Sequence, residues 1–292
     1  MRIGIHTSIA GALENAALKA VELGANTFQI FSASPRMWRA GPAKPEQIAR
    51  LKAVRAKHDL APLVIHDNYL INLAAREPVM RARSIAAFRG EIERAIAIGA
   101  EYLVAHPGSY RGQTIEQGIE AVAEGLVEAA RGLKSRCLAI LLENTAGSGA
   151  QIGSLFEELA ELRGRAGRGL GFRIGFCLDT AHALAAGYDV ATAKGLRETV
   201  KQIERVLGLE NVPVIHANDS KAALGSRVDR HQHIGQGYIG LEGFRRILNH
   251  PKLRAKAFIL ETPVDKEDDD RRNVEALKSL CRKSSTTIKR SR

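Results

Sequence analysis

Along the chain, short apolar runs alternate with longer stretches in which apolar residues recur every three or four positions. The short runs, at 2–6, 27–31, 62–66, 102–106, 138–143, 173–179, 213–216 and 257–261, are predicted strands. The longer stretches are predicted helices. In 12–23, for example, Leu13, Ala16, Ala17, Ala20 and Leu23 share one helical face, and Gly24, Gly99 and Gly208 fall where such helices should stop. A helix between each pair of strands makes the strands parallel. Eight strand–helix units predict an α/β protein closed into a single (β/α)8 TIM barrel, with its active site at the C-terminal ends of the strands. An open, doubly wound sheet is the alternative, but no GxGxxG follows the first strand. With no linker or low-complexity stretch in between, one barrel domain is expected over 1–281, followed by a basic tail over 282–292.

The polar residues that interrupt this pattern are not scattered. Six consecutive strands run apolar residues straight into one metal-capable side chain: VIH ends at His66, LVAH at His106, LLE at Glu143, CLD at Asp179, VIH at His216 and ILE at Glu261. In a barrel these ends open on one face, so the six donors converge on one mouth. Two further groups sit in the loops beyond. Asp179 and His182 in DTAH, three apart, share one side of a helix start, and Asp229 and His231 in VDRH, two apart, point the same way from extended chain. Imidazole and carboxylate without thiolate suit zinc, with manganese or iron in part as the alternative. Nine candidate ligands fit three ions with three or four each; one ion among several structural histidines is the other reading. Of the remaining histidines, His6 stands behind the ligands, His233 braces the VDRH segment, and His58 and His250 are surface residues.

Composition narrows the class. Apolar residues make up 45% of the 292 and aromatics only 5%, so the core is aliphatic. A net charge of +11 suits a polyanionic partner, because Lys and Arg displace counterions from phosphate. Five of the basic residues lie in 282–292, which leaves +6 for the rest and makes the tail read as a solvated terminus. Cys137, Cys177 and Cys281 include no CxxC pair, hence no disulfide framework and no thiolate metal site, and Cys177 reads as a small buried hydrophobe. No signal-like or membrane-spanning apolar segment is evident, and a reduced, cytoplasmic, monomeric protein is expected.

The segments HPGS at 106–109, LLENTAG at 141–147, CLDTAH at 177–182, HANDS at 216–220 and VDRHQHIGQGYIG at 228–240 resemble, in order, those of the endonuclease IV family of apurinic/apyrimidinic endonucleases. HPGS is weak by itself; the last segment together with ENTAG and DTAH is highly specific. The resemblance implies a barrel of the xylose-isomerase-like group that holds three zinc ions. His66, His106 and Glu143 would hold one, Glu143, Asp179, His216 and Glu261 a second, and His182, Asp229 and His231 the third. It implies hydrolysis of duplex DNA 5′ to abasic sites in base excision repair, leaving 3′-hydroxyl and 5′-deoxyribose phosphate ends. A hydroxide between the first two ions would attack the phosphorus, with catalytic Glu143 beside it. It also implies that Arg36, Tyr69 and Leu70 enter the duplex around the flipped-out sugar; from the residues alone, Tyr69 and Leu70 read as rim packing and Trp38 as core.

This chain departs from the family pattern in three places. SASPR stands at 32–36 where a lysine and an asparagine are usual, Tyr110 follows HPGS in place of a histidine, and Ala12 replaces a glycine. None is a proposed ligand; affinity and damage preference are where they bear. A metal-dependent sugar isomerase or epimerase on the same barrel is the rival reading, but it leaves His182, Asp229 and His231 without work. A nucleic-acid-binding protein with a closed structural metal site is a third.

Overall fold

In an extended strand successive side chains point to opposite faces, so a barrel strand buries alternate residues inside the barrel and the others under the helices. The computed structural model describes residues 1–282 and follows this rule around a complete ring. Eight parallel strands, β1 (Arg2–His6), β2 (Thr27–Phe31), β3 (Leu63–His66), β4 (Tyr102–Ala105), β5 (Ala139–Glu143), β6 (Arg173–Asp179), β7 (Val214–His216) and β8 (Ala257–Leu260), close as β1-β8-β7-β6-β5-β4-β3-β2. The predicted strands all form. His106 and Glu261 stand one residue past the ends of β4 and β8, where pairing stops and the chain turns into its loop.

Nine helices lie around the barrel among the described residues: α1 (Leu13–Glu22), α2 (Pro45–Lys57), α3 (Pro78–Ile98), α4 (Ile115–Ala130), α5 (Phe156–Ala166), α6 (Thr180–Ala186), α7 (Ala193–Val206), α8 (Gly240–Asn249) and α9 (Asp269–Leu280). Both α6 and α7 follow β6. Local chemistry sets several of their ends. Thr114 and Gln117 form a reciprocal capping box at α4, the Glu77 carboxylate accepts from Val79 and Met80 at α3, and Gly99 closes α3 in the left-handed region at φ 81°. None of these helices is long and apolar enough to cross a membrane. The basic tail from 283 onward lies outside the described residues.

Two packed layers result. The larger joins the outward strand residues, among them Phe28, Ile30, Leu63, Ile65 and Phe258, to the helices. The smaller fills the barrel interior with one residue each from β3 to β8: Val64, Val104, Leu141, Cys177, Val214 and Ile259. Cys177 is a buried free thiol there, as expected. Every member of this inner layer is followed two residues later by a candidate ligand: His66, His106, Glu143, Asp179, His216 and Glu261. The dry layer is therefore the floor on which the polar cluster stands, and strand periodicity alone points the ligands inward.

Barrel closure also constrains β1. A methyl group on Gly4 would collide with the carbonyl of Thr27 on the neighbouring strand. Gly4→Ala should therefore pry β1 from β2 and lower stability by about 3 kcal/mol in equilibrium denaturation; a midpoint equal to the parent's would show that the strands can part freely.

Candidate metal centre at the carboxyl end of the barrel

The nine candidate ligands meet in one basin. Three overlapping groups have ligand atoms mutually within 4.8 Å: His66, His106 and Glu143; Glu143, Asp179, His216 and Glu261; and Asp179, His182 and His231. Glu143 belongs to the first two and Asp179 to the last two, so two buried carboxylates link the basin. Glu143 Oε2 lies 3.1 Å from His66 Nε2 and 3.5 Å from His106 Nε2, and its Oε1 lies 2.9 Å from His216 Nδ1. Asp229, on the more exposed side, brings Oδ1 to 3.3 Å from His182 Nε2 and 3.6 Å from His231 Nε2. Asp179 Oδ2 also stands 3.6 Å from His231 Nε2, a neighbour that the motif spacing did not indicate.

The hydrogen bonds behind the rings decide what the front atoms can do. His66 Nδ1 meets the Asp67 carbonyl at 2.8 Å, His182 Nδ1 the Asn144 carbonyl at 2.9 Å and His231 Nδ1 the Glu261 carbonyl at 3.0 Å. A carbonyl oxygen only accepts, so each Nδ1 carries a proton and a neutral ring turns its Nε2 lone pair toward carboxylate oxygens. The buried Nε2 atoms of His182 and His231 have no hydrogen-bond partner. Lone pairs facing carboxylates in a dry site repel unless a cation, proton or metal, stands between them. The donor set, imidazole with carboxylate and no thiolate, fits a divalent transition metal.

Electrostatics agree. Burial pushes His66, His182 and His216 down, but the facing acids, Glu143 among them, outweigh it and hold all three well above the usual histidine value. Burial also works to raise Glu143, yet the neighbouring His216 and His106 hold it well below the carboxylate range. His106, whose burial is not offset in this way, is lowered.

Residues that the motifs did not single out as functional hold the candidate ligands in place. Asn144 accepts from the Asp179 amide at 2.6 Å and donates to its carbonyl at 3.1 Å. Asn218 donates to Asp179 Oδ2 at 2.6 Å and accepts from the Glu261 amide at 2.7 Å. The Asp219 carboxylate accepts from the amides of Ser220, Gly235, Gly237 and Ile239, and so gathers the IGQGYIG loop around one buried charge. A Cβ at Gly237 would strike the Ser220 carbonyl and this carboxylate, which is why the turn needs glycine there. The amides of ENTAG and HANDS were a signal for these roles, since buried asparagines must spend their donors and acceptors locally. Gln29, in the middle of β2 and fully buried, gave only one: a lone amide in an apolar strand.

A fourth group, His233 with Asp265 and Asp269, is different in kind. Asn273 Nδ2 donates to His233 Nδ1 at 3.1 Å, which leaves the Nε2 proton for Asp265 at 3.1 Å, while Asp269 Oδ2 accepts the amides of Asp265 and Lys266. Both ring nitrogens of His233 and the Asp269 carboxylate are hydrogen-bonded, so the group braces the loop.

Of the candidate DNA contacts, Arg36 and Tyr69 are exposed and Leu70 is half-buried on the rim. The Tyr69 ring stands edge-on to Phe31 with centroids 5.1 Å apart, and Phe31 in turn lies 5.9 Å from His66. Trp38 packs against the main core. Ala12, which replaces a glycine of the family pattern, has φ −156°, extended backbone open to any residue.

The sequence profile of the xylose isomerase-like TIM barrel family matches residues 17–283. Over 281 residues the chain is 62% identical to a Solibacter usitatus protein named probable endonuclease 4, covering 96% of this chain and 97% of that protein. It matches the crystal structure of endonuclease IV from Thermus thermophilus with a TM-score of 0.84 at 41% identity, over 96% of this chain and 98% of that one. A D-tagatose 3-epimerase-like protein shares the barrel at a TM-score of 0.70 and 20% identity, over 96% and 97% of the two chains; that likeness is of fold alone.

Because metal must displace the protons on His66, His182 and His216, uptake should strengthen as pH rises and weaken as it falls. Chelator competition from about pH 6 to about pH 8 should give an affinity that climbs about tenfold per pH unit for each proton released. An affinity flat across that range would mean that these rings are already neutral.

Proposed function

The chain belongs to the endonuclease IV family of xylose isomerase-like TIM barrels, and on that premise we propose that it is a zinc-dependent DNA-repair endonuclease that hydrolyses the phosphodiester 5′ to abasic sites in duplex DNA. The observation that carries this reading is the pair of unpartnered, buried Nε2 atoms of His182 and His231 facing Asp179 and Asp229, beside the groups centred on Glu143 in the same basin. Strand-end donors alone suit one or two ions; the added loop histidines support a third.

His66, His106 and Glu143 would hold one zinc, Glu143, Asp179, His216 and Glu261 another, and His182, Asp229 and His231 the third, with Asp179 close enough to share in it. When bound, such ions neutralise phosphoryl oxygens and make water acidic enough to attack near neutral pH. The rest falls to the chain's own side chains. Glu143, ionised and spanning two sets of histidines, is the candidate catalytic residue, because its carboxylate can orient a water or accept its proton at the centre of the basin. His66, His182 and His231, each with its Nδ1–H on a backbone carbonyl, keep their Nε2 atoms aimed without further reorganisation.

Damage recognition falls to the rim. An abasic nucleotide has no base to unstack, so turning it out of the helix is cheap, and Tyr69 and Leu70 can fill the gap while Arg36 follows the backbone. The products would be a 3′-hydroxyl and a 5′-deoxyribose phosphate, the ends that base excision repair needs. We read the enzyme as a cytoplasmic monomer.

A duplex with a single tetrahydrofuran abasic analogue tests the activity. Cleavage on its 5′ side, lost with chelator and restored by zinc, supports the proposal, and an intact strand with metal-loaded protein refutes it. Glu143→Gln should lower kcat by a factor on the order of 10²–10³ with duplex affinity kept. Tyr69→Ala should leave metal content unchanged and weaken abasic-duplex binding by about 10- to 100-fold, the equivalent of one lost stacking contact; equal weakening toward undamaged duplex would assign Tyr69 to general backbone binding.

A further inference from the structure

The histidines of the basin are not all oriented by the same means. For His66, His182 and His231 a backbone carbonyl holds Nδ1–H and leaves Nε2 toward the carboxylates. His216 is reversed: its Nε2 lies 2.8 Å from Gln29 Oε1, and its Nδ1 is the atom that faces Glu143 at 2.9 Å and Glu261 at 3.1 Å. Its tautomer is therefore chosen by a side chain.

We propose that Gln29 is a positioning residue that selects the metal-binding tautomer of His216 and holds Glu261 toward the same ion, a role that rests on reading this basin as a metal centre. An amide can face His216 with either its oxygen or its nitrogen, and only the oxygen leaves His216 Nδ1 without a proton. Glu261 makes the choice. Gln29 Nε2 donates to Glu261 Oε1 at 2.6 Å, and its other hydrogen faces His6 Nδ1 at 3.0 Å. Flipping the amide would set its oxygen against the Glu261 carboxylate and its nitrogen against His216, and would turn a protonated Nδ1 toward Glu143. The Glu261–Gln29–His216 chain thus commits two ligands of one ion through a single side chain. Both amide hydrogens and the amide oxygen are used, which explains why Gln29 is tolerated between Phe28 and Ile30 in a buried strand.

The test uses the full, metal-loaded protein with histidine labelled by 15N. In the parent, His216 should carry its proton on Nε2 while His66, His182 and His231 carry theirs on Nδ1. Gln29→Met, which keeps the volume and removes both polar groups, should weaken one ion per chain by about 10- to 100-fold in chelator titration, the usual loss when the partner behind a ligand is removed. The remaining ions should stay bound, which also reports that the barrel is folded. Gln29→Glu retains an acceptor toward His216 but sets a charge against Glu261; it should keep the Nε2–H signature and still bind that ion more weakly. If Gln29→Met binds every ion as the parent does, the role of Gln29 is overturned while parent metal uptake and abasic-site cleavage leave the enzyme reading intact. A parent that takes up no metal overturns both.

Discussion

A buried crowd of like-natured atoms governs this structure. At the carboxyl end of the barrel, carboxylate oxygens and imidazole lone pairs are turned toward one another at 2.9–3.6 Å with little water to screen them. No arrangement of those groups is stable alone. Protons can fill the gap, because the facing acids hold three histidines well above their ordinary range; divalent cations can also fill it, since each can bind several donors at once. The dry layer of Val64, Val104, Leu141, Cys177, Val214 and Ile259 beneath keeps the demand from being met by solvent from below.

How much of this could be read from the sequence follows from how each residue is placed. Candidate ligands two positions after an inward apolar residue could be placed from the sequence, because strand periodicity is exact enough to carry the direction of a side chain across a whole barrel: Val64 with His66 and Leu141 with Glu143 are cases of one rule. Loop geometry was not legible in that way. Asp179 was read as a strand-end ligand, but its approach to His231 depends on how the chain returns after β7, and spacing holds no information about that. Gln29 escaped for another reason: its importance lies in three partners, His6 on β1, His216 on β7 and Glu261 just past β8, all distant in sequence.

The rim shows how the loops carrying the candidate DNA contacts are tied to a rigid frame. Ser32, at the start of the loop that carries Arg36, is hydrogen-bonded to the buried Glu91 and accepts from Arg94 Nε at 2.7 Å, while Glu91 and Arg94 pair at 2.8 Å on α3. Asn68 donates to the Met37 carbonyl at 3.4 Å and so links this loop to the one carrying Tyr69. The departure from the family pattern at 32–34 thus begins at a residue anchored in the core, and the variation falls beyond it, at half-buried Ala33 and exposed Ser34.

A barrel of this class shares its frame with proteins of unrelated name, so whatever is particular to this chain must lie in what is added at the mouth. Three of the candidate ligands there, His182, Asp229 and His231, belong to no barrel strand. Loop ligands aim well only if their loops do not move. Asp219 meets that need: one buried carboxylate collects amides from across 220–240, forces glycine at 237, and brings His231 back until its Nδ1 reaches the Glu261 carbonyl. The glycine-rich segment that was the most specific motif in the sequence is therefore the scaffold of the third group of candidate ligands. Its specificity as a motif and its mechanical role have one physical origin.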